Sequence, residues 1–286
     1  MSWPKQSYYW QKGDDLFISI PFTWELPKVK NRLAFCKNVH VGGPAVDLMP
    51  NYFKNCENVV QIGGTINGVL QRINPYATRT TTGCPNHCKY CAIGRGLIEK
   101  GGFQELKEWP DLPILADNNL FSASISHLDK VFDRLEKHER VDFEQGLDCR
   151  LLTDYHAERC ARLNKPIIRF ACDNRGEVKE LEKSLDLLWK YKIPKSWVRV
   201  YAMIGFNSDP DEAWERCQMI EKHKVKALPM WFHELDSMKW NQVTAKQKDL
   251  GWSNYERRRI MAWYYWHTDI RKTKRISRQT FTKSLF

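Results

Sequence analysis

Along the chain from about residue 73 to residue 235, short runs rich in β-branched and aromatic residues alternate with longer stretches whose apolar positions recur every three or four residues. That alternation marks repeated strand-helix units on a parallel sheet. It predicts six strands, over 77–82, 113–116, 142–145, 167–171, 198–204 and 228–232. Between the fourth and fifth, Val178, Leu181, Leu185 and Leu188 line one face of a helix over 177–191, with Lys and Glu on the other. Asp209-Pro210-Asp211-Glu212 reads as the start of a helix over 213–224. Ser126 and Asp154 are the expected N-caps of the helices after the second and third strands. Right-handed crossovers wind such units into an open or closed barrel with its functional loops at the C-terminal ends of the strands.

The first 70 residues follow another pattern. Val39-His40-Val41-Gly42-Gly43-Pro44 predicts a strand entering a glycine turn, and Val59-Val60-Gln61-Ile62-Gly63-Gly64 a second. The expected organisation is a small N-terminal α/β appendage over 1–72, the strand-helix region over 73–235, and a basic, aromatic, helical C-terminal segment over 236–286. With 286 residues, 42% apolar and 28% charged, the composition is that of a folded globular protein. No window approaches the ~18 apolar residues that span a bilayer, and Met1-Ser2-Trp3-Pro4-Lys5-Gln6 lacks a signal-peptide core. A cytoplasmic location without membrane attachment is expected. The formal charge is +11, but from Ser253 to Phe286 nine Arg or Lys stand against Glu256 and Asp269, so that segment carries +7 and the remaining chain only +4. An argument for a polyanionic partner therefore rests on the C-terminal segment.

Nine cysteines without an export signal point to ligands or buried thiols rather than disulfides. Cys36, Cys56, Cys149, Cys160, Cys172 and Cys217 are widely spaced, as small core residues are. Cys84, Cys88 and Cys91 fall within eight residues, Cys84-Pro85-Asn86-His87-Cys88-Lys89-Tyr90-Cys91, on one loop after the first predicted strand. Such thiolates suit zinc or an iron-sulfur cluster, and three ligands on a four-iron cubane leave one iron open to substrate. Structural zinc prefers four ligands in two separated pairs, and the nearby fourth donor is His87. Three unliganded thiols in a turn would be an oxidation liability.

The Cys84-x3-Cys88-x2-Cys91 spacing after strand one, with aromatic Tyr90 before the last cysteine, resembles the radical S-adenosylmethionine (radical SAM) superfamily over roughly residues 74–235. The nearest families carry an N-terminal cobalamin-binding-like domain. The resemblance implies an α/β fold built on a partial six-stranded (β/α)6 TIM-like barrel, with Cys84, Cys88 and Cys91 holding a 4Fe-4S cluster. S-Adenosyl-L-methionine (SAM) would be chelated at the open iron and cleaved by one electron to a 5′-deoxyadenosyl radical that abstracts hydrogen from a substrate. A reductant such as flavodoxin or ferredoxin is implied as partner.

The same resemblance implies a cofactor-binding set. Tyr90 flanks the cluster, and Asp117-Asn118-Asn119 follows strand two, where polar residues hold the methionyl amine. Asn118 replaces a second acid found in several families, and an Asp-Asn-Asn run is also ordinary turn chemistry. Arg150, after strand three, meets the SAM carboxylate through its guanidinium fork or pairs with a neighbouring acid. Asp173 and Asn174 stand where related sequences carry Glu-Ser at the ribose hydroxyls, the alternative being turn capping. Gly205, in Met203-Ile204-Gly205-Phe206, resembles the glycine beside the adenine or is a plain turn glycine.

Residues 39–64 resemble the last part of a cobalamin-binding domain, but the segment is too short to be a whole one and has no Asp-x-His-x-x-Gly ligand sequence. Structural cover without cobalamin is expected. No cysteine follows Cys217, and the N-terminal part offers only Cys36 and Cys56, so one cluster is expected. Arg257-Arg258-Arg259, Trp263-Tyr264-Tyr265-Trp266 and Arg271-Lys272-x-Lys274-Arg275 combine cations with stacking faces, as a nucleic-acid surface does. The competing reading is an amphipathic helix that buries Trp263 and Trp266. His233-Glu234 is either a substrate-end pair or a surface pair. The expected activity is a radical SAM reaction on a nucleic-acid base or nucleotide. The alternatives are a small-molecule or peptide substrate, or a zinc-stabilised nucleic-acid-binding module without SAM turnover.

Overall fold

The structure, a computed structural model, describes residues 6–33, 36–64 and 68–267. The chain divides into two compact units: Met1–Pro75, Asn86–Gly102 and His233–Gln242 form the first, and Tyr76–Pro85, Phe103–Phe232 and Val243–Phe286 the second.

In the first unit, β1 (Tyr8–Lys12) and β2 (Asp15–Ser19) make an antiparallel hairpin. β2 pairs in parallel with β3 (Val39–Gly42), and β3 with β4 (Val59–Ile62). Both strands expected here are present, each stopping at its glycine turn. Helix α1 (Leu26–Leu33) buries Leu26, Val29 and Leu33, the three-and-four spacing of one helical face. With Ala45 and Val46 of α2 (Pro44–Leu48) they close a core over Ile18, Val39 and Val41. A short α3 (Val69–Ile73) ends this stretch.

The second unit is mixed α/β with small parallel sheets. β5 (Ala77–Thr78) pairs in parallel with β8 (Ile114–Leu115), and β8 with β9 (Asp142–Phe143). β10 (Ile168–Ala171), β11 (Val198–Ile204) and β12 (Lys226–Trp231) form another parallel sheet in chain order. Parallel bridges Asp142↔Ile167 and Leu147↔Phe170 join the two sets. β6 (Thr81–Thr82) pairs antiparallel with β7 (Gln104–Glu105). Between the parallel strands come α4 (Ile125–Leu135), α5 (Asp154–Arg162), α6 (Val178–Lys190) and α7 (Pro210–Lys222), followed after β12 by α8 (Ala245–Asp249) and α9 (Asn254–Trp266). On α6, Val178, Leu181, Leu185 and Leu188 are buried as the periodicity predicts. No helix among the described residues is long and apolar enough to cross a membrane.

Three local expectations are corrected. The strand expected over 77–82 is broken in two, because the backbone N–H groups of Thr80 and Thr81 donate to the Asp117 carboxylate. The N-cap of α4 is Ser124, whose extended backbone lets Oγ accept from the His127 N–H at 3.3 Å, and Ser126 lies inside the helix. The N-cap of α5 is Thr153, in a capping box with His156, while Asp154 is the first helical residue and binds Lys190 and Tyr191.

Candidate functional site

Immediately after β8, Asp117 and Asn119 are only 4% and 2% exposed. Asp117 Oδ1 accepts from Thr80 N at 2.8 Å, Thr80 Oγ1 at 3.2 Å, Thr81 N at 2.5 Å and Thr81 Oγ1 at 2.8 Å. Burial nevertheless raises the Asp117 carboxyl above its ordinary range, against the pull of those donors. Its other oxygen, Oδ2, has no hydrogen-bond partner among the described residues, and neither do Oδ1 and Nδ2 of Asn119. Buried polar atoms are almost always paired, so this group has unused capacity for a polar ligand. Half-buried Asn118 donates from Nδ2 to the Gly83 carbonyl at 3.1 Å.

Beyond β9, the Arg150 fork is engaged by Asp148, with Nε to Oδ1 at 2.7 Å and Nη2 to Oδ2 at 2.6 Å. The neighbouring-acid alternative thus describes its present partner. Beyond β10, Asp173 Oδ1 accepts from Met203 N at 3.1 Å, and its own N–H donates to Glu177 Oε2 at 2.6 Å. Asn174 is exposed and stands at the N-cap position of the turn Arg175–Glu177, without a side-chain capping hydrogen bond. Burial raises the Glu177 carboxyl, opposed by the Asp173 N–H and the Arg150 charge, so Arg150, Asp173 and Glu177 share one electrostatic neighbourhood. Beyond β11, Gly205 has φ +82° and its carbonyl accepts from Gln247 Nε2 at 2.8 Å.

Two buried side chains fix these strand ends. Arg216, 1% exposed, donates to the carbonyls of Cys172 and Met203 at 2.6 and 2.8 Å while paired with Glu212. Gln247 donates to the carbonyls of Gly205 and Phe232. Neither was singled out from sequence. The signal for Arg216 was its place on the apolar stripe Ala213, Cys217, Ile220 of α7, where only a satisfied cation is tolerated. Asp148, two residues before Arg150, was visible as an adjacent acid.

Of the clustered cysteines, Cys84 belongs to the second unit and Cys88 and Cys91 to the first, with half-buried Tyr90 between them. The Cys91 N–H donates to Cys88 O at 3.1 Å and the Arg95 N–H to Cys91 O at 3.0 Å, so this stretch is a run of tight turns. Gly94 makes it possible: a β-carbon there would lie 2.6 Å from Cys88 N and 2.9 Å from its O. Among the described residues no three His, Cys, Asp or Glu side chains are gathered as a metal site. The other cysteines divide by burial. Cys149, Cys160 and Cys217 are buried, and burial pushes each thiol up to about 12. Buried Cys172 is raised in the same way, whereas Cys36 and Cys56 are partly exposed on the core of the first unit.

In the C-terminal segment, α9 buries Arg257, Ile260, Met261, Ala262 and Tyr264. Arg257 stands over the Trp231 ring at 5.8 Å, and burial lowers its guanidinium to about 10. Arg259 stands over Trp214 at 4.7 Å, while Arg258 is exposed and Trp263 and Trp266 are partly so. Arg271, Lys272, Lys274 and Arg275 lie outside the described residues. His233 accepts from the Asn241 N–H at 3.0 Å and packs on Trp24 within the first unit. Comparison with protein-family models, curated proteins and solved structures finds no match to this chain.

Proposed function

We propose that this chain is a radical SAM enzyme whose cluster is held by Cys84, Cys88 and Cys91. The observation that carries the reading is the three-thiol motif in the connection between the first and second of six parallel strands taken in chain order. We read those strands as an open (β/α)6 barrel, in which ligands belong at the C-terminal strand ends. The residues present fit the two groups in chemical type. Three thiolates from one short stretch are soft donors for iron, and Asp117 Oδ2 with the Asn119 amide offers buried, unpartnered acceptors and a donor suited to an ammonium-bearing ligand. When bound, a cluster with an open iron supplies one-electron cleavage of the SAM sulfonium.

The chain's own residues would bind and orient. Asp117 and Asn119 would hold the methionyl amine, Arg150 the carboxylate on exchange from Asp148, and Asp173 and Asn174 the ribose hydroxyls. Arg216 and Gln247 would keep the strand ends in place, Gln247 through the Gly205 carbonyl. The proposed substrate is a nucleic-acid base or nucleotide, supported by exposed Arg258 and by the six Arg and Lys after residue 267.

The test is anaerobic. The protein is reconstituted with iron and sulfide, metal is counted, and dithionite and SAM are added, with Cys88→Ala as control. About four irons per chain and 5′-deoxyadenosine from the wild type alone are expected. Zinc in place of iron with no SAM cleavage would overturn the enzyme reading in favour of a zinc-stabilised binding module. SAM cleavage stimulated by peptides or small molecules but not by RNA or DNA would move the substrate class.

A further inference from the structure

We infer that Asp117 and Asn118 are positioning residues that hold the stretch of chain entering Cys84. Asp117 Oδ1 accepts all four donors of Thr80 and Thr81, two backbone and two hydroxyl, at 2.5–3.2 Å. Asn118 Nδ2 donates to the carbonyl of Gly83, the residue before the cysteine, at 3.1 Å. Two consecutive residues after β8 thus pin three of the four residues that precede Cys84. Thr80 and Thr81 are fully buried, so N–H groups left without the carboxylate would carry the full desolvation penalty. Between Thr78 and Thr81 the strand is interrupted, and the carboxylate takes the place of a neighbouring strand. This role uses Oδ1 and leaves Oδ2 for a ligand. It rests on the radical SAM reading only for what Cys84 is held to do.

The experiment uses the full-length, reduced, metal-free protein, so that it reads the segment and not turnover. Iodoacetamide modification is followed cysteine by cysteine by peptide mass spectrometry in the wild type, Asp117→Ala and Asn118→Ala. In both variants Cys84 should react about fivefold faster, the equivalent of one lost hydrogen bond. Cys88 and Cys91 should be unchanged, and fully buried Cys160 should stay protected. An unchanged Cys84 rate with Cys160 protected would overturn the inference. Should Asp117→Ala expose Cys160, two results decide: Asn118→Ala by the same criterion, and amide exchange in the wild type. Thr80 and Thr81 amides exchanging there like those of an unfolded chain would equally overturn it. Failure of the enzyme reading is separate, since it appears as zinc, or as absent SAM cleavage, in the reconstituted wild type and leaves these alkylation rates as they are.

Discussion

Gly205 lies with its α-carbon against the indole of Trp231, and a β-carbon on it would stand 2.5 Å from Cζ3 of that ring. The contact joins the end of β11 to β12, whose last paired residues are Ile204 and Trp231. Left-handed backbone at φ +82° adds to the demand for glycine. Gly205→Ala is therefore expected to destabilise the protein by about 2–4 kcal/mol, combining left-handed strain with overpacking. Urea denaturation measures it. Adding Trp231→Leu should return part of the loss, and no recovery would show that the indole is not the cause.

Arg216→Met should destabilise by about 3–5 kcal/mol, the usual penalty for breaking a buried, hydrogen-bonded charge pair. The substitution keeps the length of the side chain but leaves the carbonyls of Cys172 and Met203 without their donor and Glu212 without its partner. Arg216→Lys should rescue little, because one ammonium does not reproduce the fork. Thermal unfolding of the three proteins checks this, and a lysine variant as stable as wild type would contradict it.

His156 gives the fold a pH dependence. Burial lowers its imidazole to about 4, with Nδ1 within 2.8 Å of Thr153 Oγ1 and the ring packed on Phe121. The unfolded chain takes up a proton below its ordinary value of 6.5 while the folded one does not until about 4. Stability is thus full above that ordinary value and falls as pH drops toward 4, by up to about 3 kcal/mol. His156→Gln, which can keep the capping box, should flatten this part of the profile. Denaturation of both proteins at several pH values settles it, and parallel profiles would sink the assignment.

Truncation separates structure from binding at the C-terminus. Ending the chain after Gly251 removes Ile260, Met261 and Tyr264 from the core, so loss of near- and far-ultraviolet circular dichroism is expected. Ending it after His267 removes Arg271, Lys272, Lys274, Arg275, Arg278 and Lys283 and keeps α9 with the core residues it supplies. If those cations meet phosphates, each cation–phosphate pairing removed lowers the salt slope of filter binding to single-stranded RNA by about 0.7. An unchanged slope would count against the nucleic-acid reading.

Periodicity found the elements whose determinants are local. The strand over 198–204 and the apolar face of α6 match residue for residue because burial on one side imposes alternation or three-and-four spacing there. The break in the first strand was hidden, since its cause is a carboxylate 36 and 37 residues farther along the chain. Caps missed by one or two positions reflect how closely Ser124 and Ser126, or Thr153 and Asp154, compete for the same role. At the strand ends, the residue types after each strand were readable, but their present partners were not. Arg150 is engaged by Asp148, and Gly205 answers to Trp231 and Gln247, relationships that only folding creates.

The chain passes between its two units five times, at 75/76, 85/86, 102/103, 232/233 and 242/243. Neither unit is therefore a continuous gene segment. Shuffling either one into another protein would require stitching together three separate pieces, and a ribosome must release residues beyond 242 before the second unit has all its parts. Inheritance of this architecture is accordingly expected to be all or nothing, with variation entering by substitution and loop insertion rather than by exchange of one half.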